Sequence, residues 1–147
     1  MKTITLHSAS KQRGLSLLEA LLGMLIFSIG ILAVVGLQAI AVKSVAESKY
    51  RMDASFLANE IISEMWANRS NLGSYNYAGG APPLVLTRWI DKVDAALPGV
   101  VANPPSIVVG AGNEVTVTIF WQHPEEAALD VPPPPHQYVA VASINCC

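Results

Sequence analysis

From Leu15 to Val42 the sequence is almost wholly apolar, and from Ala20 to Val42 it carries no ionisable side chain. A soluble core cannot hide one uninterrupted run of this length along a single element. About 20 apolar residues are enough to cross the hydrocarbon core of a bilayer as a helix. The whole chain is 52% apolar and only 14% charged, and this run accounts for much of the imbalance. The preceding residues 1–14 are polar and basic, with Lys2, Lys11 and Arg13 and no acid. A basic flank of this kind predicts a cytoplasmic N-terminus, with everything beyond Lys43 on the far side.

A secretory signal peptide is one alternative. It would have an apolar stretch of roughly 7–15 residues followed by a small-residue cleavage site. The run here is longer, although Ala39-Ile40-Ala41 offers small residues near its end. A plain, unprocessed anchor is another alternative. Glu19 stands against it, because an acid inside a membrane helix costs about 2.5–3.5 kcal/mol at the bilayer centre and less towards the interface. Such residues are kept for a partner or a function. A carboxylate reaching the headgroups is the plainer explanation.

Lys11-Gln12-Arg13-Gly14-Leu15-Ser16-Leu17-Leu18-Glu19-Ala20 resembles the prepilin motif of type IV pilins and type II secretion pseudopilins. The resemblance implies cleavage by a membrane peptidase between Gly14 and Leu15 on the cytoplasmic side. It also implies N-methylation of Leu15 as the new terminus, and Glu19 as the glutamate at the fifth mature position. Phenylalanine is usual at the first mature position of that family, and Leu15 departs from it. Cleavage would expose an α-amine with a pKa near 8, mostly positive at neutral pH. Glu19 follows Leu15 by four residues and so shares its helix face. A carboxylate of one subunit can neutralise the terminus of the next, which would set the register between staggered helices.

Beyond Val42 the pattern becomes amphipathic. Ala46, Tyr50, Ala54, Leu57, Ile61 and Met65 recur every three or four residues, with Met52, Phe56, Ile62 and Trp66 widening the stripe. Lys43, Glu47, Lys49, Arg51, Asp53, Glu60 and Glu64 fall largely between them, so the periodicity predicts that the helix continues. It should end near Asn68–Gly73, giving a helix from Leu15 to about Ala67, about 80 Å long at 1.5 Å per residue. Gly36 allows local loosening of this helix, close packing of a neighbour, or neither.

Residues 68–83 read as a loop, and Thr87 to Leu97 as a short helix capped by Thr87 and stopped by Pro98-Gly99. Ser106–Val109 and Glu114–Gln122 read as strands joined through Gly110–Asn113, with Val115, Val117, Ile119 and Trp121 alternating against Thr116, Thr118 and Phe120. Pro132 to Pro135 form a stiff connector, and Tyr138–Ile144 a third strand. The expected class is α+β, a long N-terminal helix packed on a small antiparallel sheet. The expected division is 1–14 as a leader to be removed, 15–42 as a transmembrane and assembly helix, and 43–147 as a periplasmic domain. The ladle shape of type IV pilins is what the resemblance implies.

The stretch from Trp89 to Leu97-Pro98-Gly99, followed by Val115-Thr116-Val117-Thr118 and Trp121, is similar to PilV-type minor pilins. That resemblance implies a minor pilin present in few copies, priming pilus assembly and supporting twitching motility and adhesion. Its implied partners are the prepilin peptidase, the major pilin, other minor pilins, a large tip adhesin and the inner membrane. Type II secretion minor pseudopilins of the I type share the pattern. An unprocessed, membrane-tethered periplasmic binding module is a third alternative.

Signals of other chemistry are sparse. A net charge of -2 gives no general attraction to nucleic acid. There is no nucleophile triad spacing, no phosphate-binding glycine loop and no H-E-x-x-H, so neither catalysis nor a cofactor is expected. His123 with Glu125 or Glu126 is a candidate metal pair, set against a solvated-loop reading. Trp66, Trp89 and Trp121 read as core or interface. Cys146 and Cys147 are adjacent. Neighbouring Cα atoms lie about 3.8 Å apart across a trans peptide, too close for an unstrained disulfide. Free thiols or an intermolecular bridge remain as alternatives.

Overall fold

The computed structural model describes residues 13–145, with side chains from Leu15 onward. The leader residues 1–12 and the Cys146–Cys147 pair therefore lie outside the described residues. The chain divides into two compact units between Ser44 and Val45.

A single helix, α1, runs Arg13–Ala67 and supplies the described residues of the first unit. The segment contains no proline and is richest in Leu and Ala, both strong helix formers. Every residue from Leu15 to Ser44 is exposed. Leu32 and Phe27 remain 71% and 69% accessible, which no water-soluble helix would tolerate along its whole length. α1 is long and apolar enough over this stretch to cross a membrane. At Gly36 an added Cβ would meet nothing within 4 Å, so close packing within the chain does not account for that glycine.

The second unit is α+β, as the sequence predicts. The α1 segment from Val45 buries Ala54, Leu57, Ala58, Ile61 and Met65 on one face. The widened stripe fails in part. Tyr50 and Ile62 pack partly against the core, whereas Met52, Phe56 and Trp66 are exposed. The spacing explains the loss: Ala54, Leu57, Ala58, Ile61 and Met65 already fill the i, i+3, i+4, i+7 face, and Met52, Phe56 and Trp66 point away from it. Trp66 is therefore not a core residue.

α2 covers Thr87–Ala96 and buries Trp89 and Val93. Thr87 is not its cap. Leu86 holds the capping position without a side-chain bond, and the Thr87 hydroxyl donates to the Pro83 carbonyl at 3.3 Å. The Trp89 indole N–H donates to the Leu57 carbonyl at 2.9 Å in a buried position, and Lys92 pairs with Glu60. These contacts fix α2 against α1. The expected loop after α1 holds a short 3₁₀ segment, Arg69–Tyr75, which buries Leu72 and Tyr75.

Three antiparallel strands follow: β1 (Ser106–Val109), β2 (Glu114–Trp121) and β3 (His136–Ser143), in that spatial order. β2 is central and buries Val115, Val117, Ile119 and Trp121 in strict alternation. One face of the sheet thus joins the core. Tyr77 bridges Ile107 with two backbone bonds of 2.9 and 2.7 Å, which covers the β1 edge. After β2, a one-turn helix, α3 (Pro124–Ala127), starts on Pro124. The proline stretch is tied down rather than loose, since the Gln122 amide donates to the Pro133 carbonyl at 3.0 Å. Gly99 has φ +78, and a Cβ there would lie 3.1–3.2 Å from Gln122, including its backbone N and O. Only glycine lets the turn after α2 approach the end of β2 so closely.

Candidate functional site

Two places carry functional groups. The first is the start of α1. Gly14 lies in its first turn. Leu15 is 67% accessible and Glu19 is exposed. Both sit on the helix at a spacing of four, so they share one face. Among the described residues, no group covers that face.

The second place was not visible as a unit in the sequence. Glu47 on α1, His123 just past β2 and His136 opening β3 converge. The β2–β3 register pairs Trp121 with His136, which brings the third residue across from the strand end that leads to the first histidine. His123 Nε2 lies 2.9 Å from Glu47 Oε2, and His136 Nδ1 lies 3.5 Å from Glu47 Oε1. The Trp121 indole N–H donates to Glu47 Oε2 at 3.3 Å. The His136 ring stacks on Trp121 with centroids 5.8 Å apart, and Tyr50 leans on His123 at 5.3 Å.

Both readings of His123, the solvated loop and the candidate metal pairing with Glu125 or Glu126, are corrected. His123 is buried, not in a solvated loop, and faces Glu47. Glu126 instead holds His136, with its Oε2 3.0 Å from Nε2, and Glu125 is exposed. The one-turn helix after His123 turns Glu126 back towards the strand opening at His136. Contact between residues 76 positions apart leaves no local spacing to read. The available signal was weaker: Glu47 is an acid next to the buried-face position Ala46, just where the membrane-length run gives way to a stripe.

Electrostatically, burial pushes the Glu47 carboxyl up. Hydrogen bonds from His123 and Trp121, with the charges of His136 and His123, outweigh that and hold it below its ordinary value of 4.5. Glu47 is thus favoured as a carboxylate. Among the described residues, no buried side-chain polar atom lacks a partner.

No curated protein and no solved structure matches the chain. Residues 9–35 match the family described as the prokaryotic N-terminal methylation motif. This motif implies processing by a prepilin peptidase, and together with the exposed apolar helix it fits anchoring in the inner membrane. The match supports a type IV pilin-like protein.

Proposed function

We propose that this chain is a prepilin cut between Gly14 and Leu15, N-methylated on Leu15, and inserted in few copies into a type IV pilus as a minor pilin. The observation that carries the reading is the methylation motif over residues 9–35, which runs directly into a helix face that nothing among the described residues covers. Glu19 would pair with the methylated terminus of a neighbouring subunit and set the helix register. The N-terminus would be cytoplasmic before cutting and the domain periplasmic. The assembled subunit would prime pilus formation with other minor pilins and the major pilin, present a tip adhesin, and support twitching motility and adhesion. In this role it performs no catalysis.

Mass spectrometry of the N-terminus of chain purified from cells tests the first step. The expected terminus is methylated Leu15, and an uncut Met1 terminus overturns it. Glu19→Val should still be cut yet fail to enter filaments; normal incorporation would remove Glu19 from the assembly step. The same motif serves secretion pseudopilins. Deleting the gene and scoring pili, twitching and type II secretion together separates the two: loss of pili and twitching is expected, and loss of secretion alone assigns the chain to a secretion pseudopilus.

A further inference from the structure

The cluster at Glu47 sets two carboxylates around two histidine rings. The far nitrogen of His136, Nε2, faces Glu126 Oε2 at 3.0 Å, and a carboxylate only accepts. That bond therefore takes the ring N–H. In the neutral ring it leaves Nδ1 with a lone pair, and Nδ1 faces Glu47 Oε1 at 3.5 Å. Two acceptors point at each other, and something positive must lie between them: a second proton on the ring, or a cation.

The arrangement also has the geometry of a cation site. One ligand atom each from Glu47, His123 and His136 all lie within 4.8 Å of one another, the only such set of three or more among the described residues. Ligands held about 2.0–2.2 Å from a tetrahedral zinc ion stand roughly 3.3–3.6 Å from each other. Glu47 stands close to that spacing from both rings, 2.9 Å from His123 through Oε2 and 3.5 Å from His136 through Oε1. The surroundings match those of a held ligand set. A carboxylate on the outer nitrogen of a metal-bound histidine fixes the tautomer and raises ligand basicity, and Glu126 occupies that position on His136. Stacking on Trp121 fixes the same ring, and Tyr50 backs His123. Two imidazoles and one carboxylate suit zinc better than calcium or magnesium, which take all-oxygen shells.

We propose that Glu47, His123 and His136 form a binding site for one divalent transition-metal cation of the zinc type, with Glu126 orienting His136 from outside the ligand shell. The ligands come from α1, the β2–α3 turn and β3, so the ion clips the start of the domain's helical segment to the sheet. Three protein ligands leave a fourth position for water.

The test uses the full-length, tag-free chain in detergent with Cys146→Ser and Cys147→Ser, which removes thiols that would compete for the metal. After chelator stripping, it is titrated with zinc chloride against a chromophoric competitor. One equivalent should bind saturably, the thermal midpoint should rise with zinc, and X-ray absorption should show only nitrogen and oxygen at about 2.0–2.2 Å. Glu47→Gln and His136→Gln should abolish this binding. Glu126→Gln, which leaves the ligand set intact, should weaken it about 10–100-fold with an unchanged near-UV spectrum. No saturable binding by the parent chain overturns the proposal, and assigns the cluster to an imidazolium–carboxylate network. Binding undiminished in Glu47→Gln and Glu126→Gln overturns it equally.

Discussion

Helix α1 carries two kinds of apolar surface on one backbone. From Leu15 to Ser44 it is exposed on every side, and large side chains such as Leu25, Phe27 and Leu37 have no partner in the chain's own core. From Val45 on, burial narrows to Ala54, Leu57, Ala58, Ile61 and Met65 on one face. Hydrophobicity alone does not separate the halves, since Ile31 and Ile61 are the same residue. What differs is the intended solvent. The first half finds no cover among the described residues and is apolar enough to cross a membrane, and the second is satisfied by its own sheet and α2. Substitutions in the first half should therefore act on anchoring and assembly, and those in the second on folding.

That contrast can be broken directly. Ile61 is fully buried, so Ile61→Ala should cost about 2–5 kcal/mol of domain stability. Leu32→Ala in the exposed half should leave the same transition within about 0.5 kcal/mol. Urea unfolding of both variants in mild detergent, followed by near-UV circular dichroism, measures the gap, and equal losses would erase the distinction. A smaller effect is expected at the contact between α1 and α2. Trp89→Phe removes the bond to the Leu57 carbonyl, worth about 0.5–1.5 kcal/mol net, and should lower the unfolding midpoint without altering N-terminal processing.

The smallest effect concerns pH. The Glu47 carboxyl is held below 4.5 in the folded chain. A group depressed by folding adds stability above its unfolded value, and that contribution is lost as pH falls through the folded value. His123 and His136 face it from the β2–α3 turn and β3. In chelator-treated protein, unfolding midpoints taken from pH 7 downward should decline below about pH 4.5, and Glu47→Gln should decline less steeply. Parallel slopes would remove Glu47 from the acid response.

The contrast between the halves was legible in the sequence because it rests on period and length. The run ending at Val42 and the three- and four-residue spacing after it need no tertiary knowledge. The same holds for β2, whose alternation from Val115 to Trp121 marks its buried face, and for β1, which falls on Ser106–Val109 as expected. Position-specific features were less readable. Thr87 looks like a cap, yet the Pro83 carbonyl one turn back takes its hydroxyl. Met52 and Phe56 look like core, yet a helix resting on a three-stranded sheet and one short helix buries only a narrow stripe. The Glu47 cluster was least readable, because its members meet only through the antiparallel register and the turn that returns Glu126 to His136.

Gly99 has a consequence beyond the turn it permits. A methyl group there would press on the backbone of Gln122, the residue immediately before His123. The clearance at position 99 therefore works like a machinist's gauge, fixing how far the end of β2 advances before the chain turns into α3. A residue with no side chain thus bears on the seating depth of a histidine. Wear at that gauge would show first as slack at Glu47, while the sheet itself still closed normally.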